Sequence, residues 1–352
     1  MLRTFRFPHK FPQCEHRCVG FNPKRRWAKG IGASLPSQGA ARSPGLCCAQ
    51  RSTTGYAVRS WPSNIGKQFA TRPPLRMPSE NQDKSVSVEP FLKWAGGKRW
   101  LIPHLKLEKL KYSGRYIEPF LGSGAIYFAL RPKRAIISDI NESLVDAYRC
   151  VRDCPDEISE ILGKHQLEHS KAYYYEVRSN MGQNPIDRAA SLIYLNRTCW
   201  NGLYRVNRKG KFNVPKGTKS SVLLNSDSWP AVADALSGAQ IVARDFEISI
   251  DEAASGDLLF VDPPYTVKHN LNGFLKYNES LFSWDDQIRL HAALLRASLR
   301  SVNIIATNAD HESIRELYKV GFKFRRLERS SVLSGDPSFR GRYSELLITA
   351  KL

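Results

Sequence analysis

The run Asp257-Leu-Leu-Phe-Val-Asp262 continues directly into Pro263-Pro264-Tyr265, and it constrains the fold more than any other stretch of the chain. Successive apolar residues without polar alternation read as a strand buried in a helix-covered sheet. Two prolines then fix φ and bar entry into a helix, so the carbonyls at the strand end are held rigidly outward. Open α/β sheets bind ligands at the carboxyl ends of their strands. There the Asp262 carboxylate and the Pro263 carbonyl can together accept both hydrogens of an –NH₂ group. The Tyr265 ring can stack on the base that carries it.

From Glu89 onward, strand and helix alternate around that run. Tyr116–Phe120 reads as a short buried strand, followed by a turn at Gly122 and Gly124 and an apolar helix through Leu130. Ala135–Asp139 is a second strand, and Asn141 can cap the helix that carries Leu144, Val145 and Tyr148. Residues 156–196 are mostly helical, punctuated by Pro155 and Pro185. Leu203–Asn207 and Lys211–Val214 flank a turn at Arg208-Lys209-Gly210, the pattern of a β-hairpin. Alternation resumes near Ala239. Ser283 and Asp286 suit a capping box for a helix whose apolar face is expected at Ile288, Ala292, Leu295 and Leu299. A strand at Asn303–Thr307, a helix around Ile314–Val320 and strands near Phe322–Arg326 and Leu346–Thr349 follow. The pattern is α/β: a mainly parallel sheet wrapped by helices, interrupted at about 155–230 by a largely helical insert with a hairpin.

Gly122 and Gly124 let backbone approach a ligand closely at a helix N-terminus. A full dinucleotide fingerprint needs a third glycine where Tyr127 stands, which weakens a nicotinamide reading. Asp139, at the end of the next strand, stands where an acid can hold ribose hydroxyls. Order and spacing point to a nucleoside-type cofactor.

Charge separates the chain into parts. The 352 residues carry a formal net charge of +20, but residues 1–86 hold 15 Lys+Arg against 3 acids. Residues 188–226 hold 8 Lys+Arg and no acid, and the rest of 87–352 is balanced. A local basic excess suits a polyanion, and Arg205, Arg208, Lys209 and Lys211 share the hairpin while Asn201, Asn207 and Asn213 offer amides to base edges or phosphates. Arg340-Gly-Arg342 reads equally as a further phosphate-facing turn or as a plain basic loop. Residues 1–86 form a basic, low-order tail with three open readings: a targeting leader, a nucleic-acid-binding arm, or sequence upstream of a true start at Met77, the last preferred. Residues 87–352 form the working domain. Membrane spans and metal sites are not expected; Cys150 and Cys154 lack partners at zinc-site spacing.

Phe91-Leu-Lys-Trp-Ala-Gly-Gly-Lys98, Glu118–Gly124, Ser138–Asn141, Asn201–Asn207, Phe212–Pro215 and Asp262–Tyr265 together resemble, in order and spacing, the Dam-type (D12 class) DNA adenine-N6 methyltransferases. The resemblance covers about residues 89–352. It implies a Rossmann-like S-adenosylmethionine-dependent sheet with a DNA-recognition insert. It implies that Trp94, Lys98, Phe120, Gly122, Gly124, Asp139 and Asp262 bind S-adenosylmethionine. Asp262, Pro263 and Tyr265 would be catalytic on a flipped-out adenine, with Lys268, Lys276 and the Tyr265–Tyr277 loop covering it. Lys93 and Arg205 would contact bases of double-stranded DNA. After Pro215 the chain reads Lys-Gly-Thr218-Lys219 where GATC-methylating members commonly carry Gly-Arg-Tyr, so GATC is only one candidate target. A restriction endonuclease is a candidate system partner. A cytoplasmic, nucleoid-associated setting follows from the substrate, with organellar targeting by residues 1–86 left open. RNA or a protein amide as the methyl acceptor, and a catalytically silent DNA-binding relic, are the alternatives.

Overall fold

The computed structural model describes residues 88–207, 209–268, 282–330 and 342–352. Seven strands form one sheet: β1 (Tyr116–Glu118), β2 (Ala135–Asp139), β3 (Ala239–Ala243), β4 (Leu258–Val261), β5 (Asn303–Ala309), β6 (Lys323–Ser330) and β7 (Arg342–Ala350). Their spatial order is β3-β2-β1-β4-β5-β7-β6. β3, β2, β1, β4 and β5 run parallel, whereas β7 is antiparallel to both β5 and β6. The expected α/β architecture, a mainly parallel sheet wrapped by helices, is what the chain forms. Strand residues alternate between two cores, as the pleat requires: Leu258 and Phe260 face one, Leu259 and Val261 the other. Because both faces are covered, β4 shows no polar alternation.

The helices are α1 (Ile102–Leu105), α2 (Ala125–Leu130), α3 (Glu142–Asp153), α4 (Pro155–Glu168), α5 (Lys171–Ser179), α6 (Pro185–Thr198), α7 (Trp229–Leu236), α8 (Phe246–Asp251), α9 (Trp284–Leu299) and α10 (Glu312–Tyr318). Asn141 caps α3 by accepting from the Leu144 amide. Pro155 and Pro185 occupy first-turn positions, where a missing N–H costs nothing. α4 to α6 are the helical insert. They share one hydrophobic core with α3 and the sheet, through residues such as Ile158, Leu162, Tyr174 and Ile193.

Two expectations need correction. Ser283 and Asp286 do form the capping box of α9, but the helix buries Leu290, Ala293, Leu294 and Ala297. Ile288 and Leu299 are exposed, at 45% and 79%. The helix carries two interleaved apolar stripes, and spacing alone could not say which one met the sheet. The hairpin is also less regular than expected: one isolated bridge, Val206 with Phe212, joins its arms in place of two strands. Arg208, Lys276, Arg340 and Gly341 lie outside the described residues. Among the described residues, no helix is long and apolar enough to cross a membrane.

Candidate active site

The sheet order reverses between β1 and β4, which pair with Tyr116 opposite Leu258 and Ile117 opposite Leu259. At such a switch point the connections leave in opposite directions and open a crevice at the carboxyl ends of the strands. The glycine turn follows β1 and the Asp-Pro-Pro-Tyr segment follows β4, so both open on that crevice. Gly122 and Gly124 have φ of +48° and +63°, a region costly for other residues. Asp139 secures the turn: Oδ2 accepts the Gly122 amide at 3.2 Å and Oδ1 the Asn141 amide at 3.0 Å. Phe120 stacks on Phe246 with ring centroids 5.3 Å apart, and Phe282 meets it edge-on.

Three carboxyls converge here. Glu118 is buried and accepts a 2.8 Å hydrogen bond from the Tyr116 hydroxyl. Burial drives its carboxyl well above the usual range; the Tyr116 bond opposes this, and the charges of Asp262 and Asp139 add to it. Burial also raises Asp139, against the amides it accepts. Asp262 is raised by burial too, opposed by Lys98 and by the Thr307 hydroxyl. The set suits a polar ligand with hydroxyls: carboxyl groups at the crevice, an acceptor at the end of β2, and an aromatic cluster at Phe120.

Asp262 is held by one oxygen. Its Oδ1 lies 2.9 Å from the Lys98 ammonium and accepts the Thr307 hydroxyl at 2.6 Å. Lys98 also donates to the Gly96 carbonyl at 2.8 Å and lies 3.6 Å from Oε2 of Glu345. Its ammonium stands 4.9 Å from the centroid of the Tyr265 ring, and the Tyr265 hydroxyl donates to Glu345 Oε2 at 2.6 Å. Lys98 is expected to serve the cofactor; in the structure its ammonium is engaged by Asp262 and the Gly96 carbonyl. Trp94 packs on the glycine turn, where a Cβ at Gly122 would lie 2.9 Å from Cδ1 of its indole. Its ring also stacks on Tyr204 at 5.0 Å, linking the turn to the root of the hairpin.

The expected DNA-facing residues gather separately. The Lys93 backbone is clamped from both sides by Asn196, which accepts its amide at 2.8 Å and donates to its carbonyl at 2.9 Å. Burial, reinforced by Lys219, pulls the Lys93 ammonium down to about 8. A cavity of about 400 Å³ has Lys93, Trp94, Asn201 and Gly202 in its walls, but not Asp139 or Asp262. Arg205 is exposed and aimed by Asn213, whose side-chain oxygen accepts Nε at 2.8 Å. Lys209 and Lys211 are exposed, and Asn207 shapes their turn by accepting both of their amides. One member of the basic run is not on the surface. Arg197 is buried and paired with Asp227, the first acid beyond the run.

Thr307 and Glu345 were missed by the sequence reading. Thr307 had a signal, since a parallel β5 beside β4 sets Ala306 opposite Val261 and so brings Thr307 next to Asp262. Glu345 is the lone acid leading the apolar run Leu346-Leu-Ile, a weaker signal that a strand drawn from Leu346 leaves out.

Comparison with known proteins agrees with this geometry. A family model described as D12 class N6 adenine-specific DNA methyltransferase matches residues 94–333. A type II methyltransferase of Lactococcus lactis subsp. cremoris is 35% identical over 277 residues, 76% of this chain and 97% of that one. A type II methyltransferase of Methanocaldococcus jannaschii is 35% identical over 75% of this chain and 99% of its own length. A DNA adenine methylase of Haemophilus influenzae is 30% identical over 78% of this chain and 97% of its own.

Proposed function

The chain belongs to the D12 class of N6 adenine-specific DNA methyltransferases, and from that premise we propose how its crevice carries out the transfer. It is a site-specific DNA-methyltransferase acting on adenine; DNA takes precedence over RNA and protein amides as the acceptor on the family match. The family implies a methyl donor, which we read as S-adenosylmethionine. That cofactor supplies an electrophilic methyl group on a sulfonium. The residues that would hold it are Gly122, Gly124 and Phe120 along the turn, with Asp139 at the ribose and Trp94 behind the glycines.

The observation that carries this reading is the pairing of β1 with β4, because it opens both motifs on one crevice. Adenine's exocyclic amine is a poor nucleophile while its lone pair is delocalised into the ring. The Pro263 carbonyl and Asp262 accept its two hydrogens and return electron density to nitrogen. Lys98 and Thr307 both engage Oδ1, and Oδ2 is the oxygen that we assign to the amine. Lys98 and Thr307 fix the carboxylate, and positioning supplies much of the acceleration. The target base leaves the duplex and stacks on Tyr265, since its amine is out of reach inside the helix. Lys93 and Arg205 read bases in double-stranded DNA, while Asn201, Asn207, Arg208, Lys209 and Lys211 add backbone contacts. We read about 155–230 as the recognition insert of a domain spanning 87–352. A cognate restriction endonuclease is a system partner consistent with the type II relatives, and a cytoplasmic, nucleoid-associated setting fits a DNA substrate.

The test is methyl transfer from labelled S-adenosylmethionine to duplex DNA, single-stranded DNA and RNA in parallel. The expected product is N6-methyladenine in duplex DNA. Label in RNA alone would overturn the reading.

A further inference from the structure

We propose that Glu345 is a positioning residue of the methyl-transfer site: it anchors the Tyr265 hydroxyl and shares the Lys98 ammonium with Asp262. In this way it fixes both the ring under the target base and the carboxylate that accepts its hydrogens. The proposal rests on the site reading above and goes beyond it. Glu345 need not touch the reacting atoms; it acts through Tyr265 and Lys98.

A carboxylate inside a strand of Leu346, Leu347 and Ile348 is expensive unless charged or hydrogen-bonding partners offset its lost hydration. Glu345 is 4% exposed, and its partners include two residues of the active site, with Tyr265 at 2.6 Å and Lys98 at 3.6 Å from the same oxygen. The backbone makes that reach direct. Glu345 sits on β7 opposite Ala309 of β5, and β5 lies beside β4, whose end carries Asp262. Pro263 and Pro264 hold the chain, but no regular structure follows them before residue 268, so the Tyr265 side chain needs a separate anchor. The Tyr265 hydroxyl remains a donor, because burial raises it well above the ordinary tyrosine range and the charges on Asp262 and Glu345 add to the effect.

A tether alone and a charged tether predict different behaviour. Asp262 faces Lys98, Glu118, Tyr265 and Glu345, and the negative charge of Glu345 favours its protonated form. In Glu345→Gln the amide oxygen still accepts from Tyr265, but the charge is gone.

The experiment uses the full chain, S-adenosylmethionine and unmethylated bacterial genomic DNA, with kcat measured across pH for Glu345→Ala, Glu345→Gln, Tyr265→Phe and the Glu345→Ala/Tyr265→Phe double variant. Glu345→Ala and Tyr265→Phe are each expected to lower kcat by about ten- to a hundredfold, the scale of a displaced reacting group. The double variant should be no worse than the poorer single one. Glu345→Gln should recover most of kcat and move the acid limb of the profile to lower pH. Should Glu345→Ala fail to fold by thermal melting, the Gln and Phe variants still decide through the shifted limb and the lost turnover. Wild-type kcat in Glu345→Ala, multiplying losses in the double variant, or an unmoved limb in Glu345→Gln would overturn the proposal. Asp262→Ala run alongside separates the two readings. If it is inactive while Glu345→Ala is normal, only the role of Glu345 falls; if it is active, the site reading falls.

Discussion

The Lys98 ammonium lies 2.9 Å from Oδ1 of Asp262, and the lysine side chain is only 5% exposed. The pair is therefore inside the fold, where losing one partner leaves the other charge uncompensated at a cost of about 3–5 kcal/mol. Lys98→Met keeps most of the packing and removes the charge. Asp262 is already raised by burial, and Lys98 opposes that rise. Without Lys98 the carboxyl climbs further, so the acid limb of kcat should move to higher pH, opposite to the shift expected for Glu345→Gln. Denaturation at neutral pH should show a loss of a few kcal/mol. An unmoved limb would separate Lys98 from the ionisation of Asp262.

Gly122→Ala tests the cofactor turn. The new Cβ would lie 2.9 Å from Cδ1 of Trp94 at a backbone φ of +48°. Left-handed backbone at a non-glycine residue costs about 1–2 kcal/mol, so the affinity for S-adenosylmethionine should fall roughly tenfold or more in calorimetry. Gly163→Ala is the contrast, because nothing lies within 4 Å of its Cβ and it sits inside α4. That change should stabilise the protein by about 0.5–1 kcal/mol and leave binding alone. Unchanged affinity in Gly122→Ala would remove the turn from the cofactor site.

Glu118 gives a stability signature. Its carboxyl is raised well above the ordinary range in the folded protein, chiefly by burial. The unfolded chain ionises at about pH 4.3, and above that the folded state holds more protons, so stability falls by up to about 1.4 kcal/mol per pH unit. Glu118→Gln is spared that decline. The melting temperature of the variant relative to the natural protein should rise as the pH is raised above the ordinary carboxylate range. A difference independent of pH would contradict the assignment.

The roles proposed for the hairpin residues can be told apart by binding. Arg205→Ala should relax discrimination at one base pair by about 1–3 kcal/mol. Lys209→Ala and Lys211→Ala should weaken binding to all sequences alike and each lower the salt dependence by about one counterion. Competition binding at several salt concentrations checks both. Unchanged sequence preference in Arg205→Ala would take it out of the base-reading set.

Much of this was legible in the residues. The apolar run ending at Asp262 and the glycine turn before Ala125 name a parallel sheet and its two functional strand ends. Caps at Asn141 and Ser283 are local chemistry, and they fall where spacing puts them. Pairing across the sheet is not local, so short-range spacing does not specify it. The buried face of α9 depended on which of two stripes met the sheet. Glu345 lies 247 positions from Lys98 in sequence, and only the antiparallel placement of β7 brings them together. The basic run misled in one respect, because Arg197 finds its acid at Asp227, one residue past the window's end.

The role we propose for Asp262, at the end of β4, is to accept the amino hydrogens of adenine during transfer. The direct measurement is to express the natural chain and Asp262→Ala in a bacterial host without adenine methylation and sequence the DNA with modification detection. The natural chain should mark adenine at N6 within one defined sequence, whether GATC or another. Asp262→Ala should mark none while melting as a folded protein. N6-methyladenine at the same sites in the variant would contradict the account.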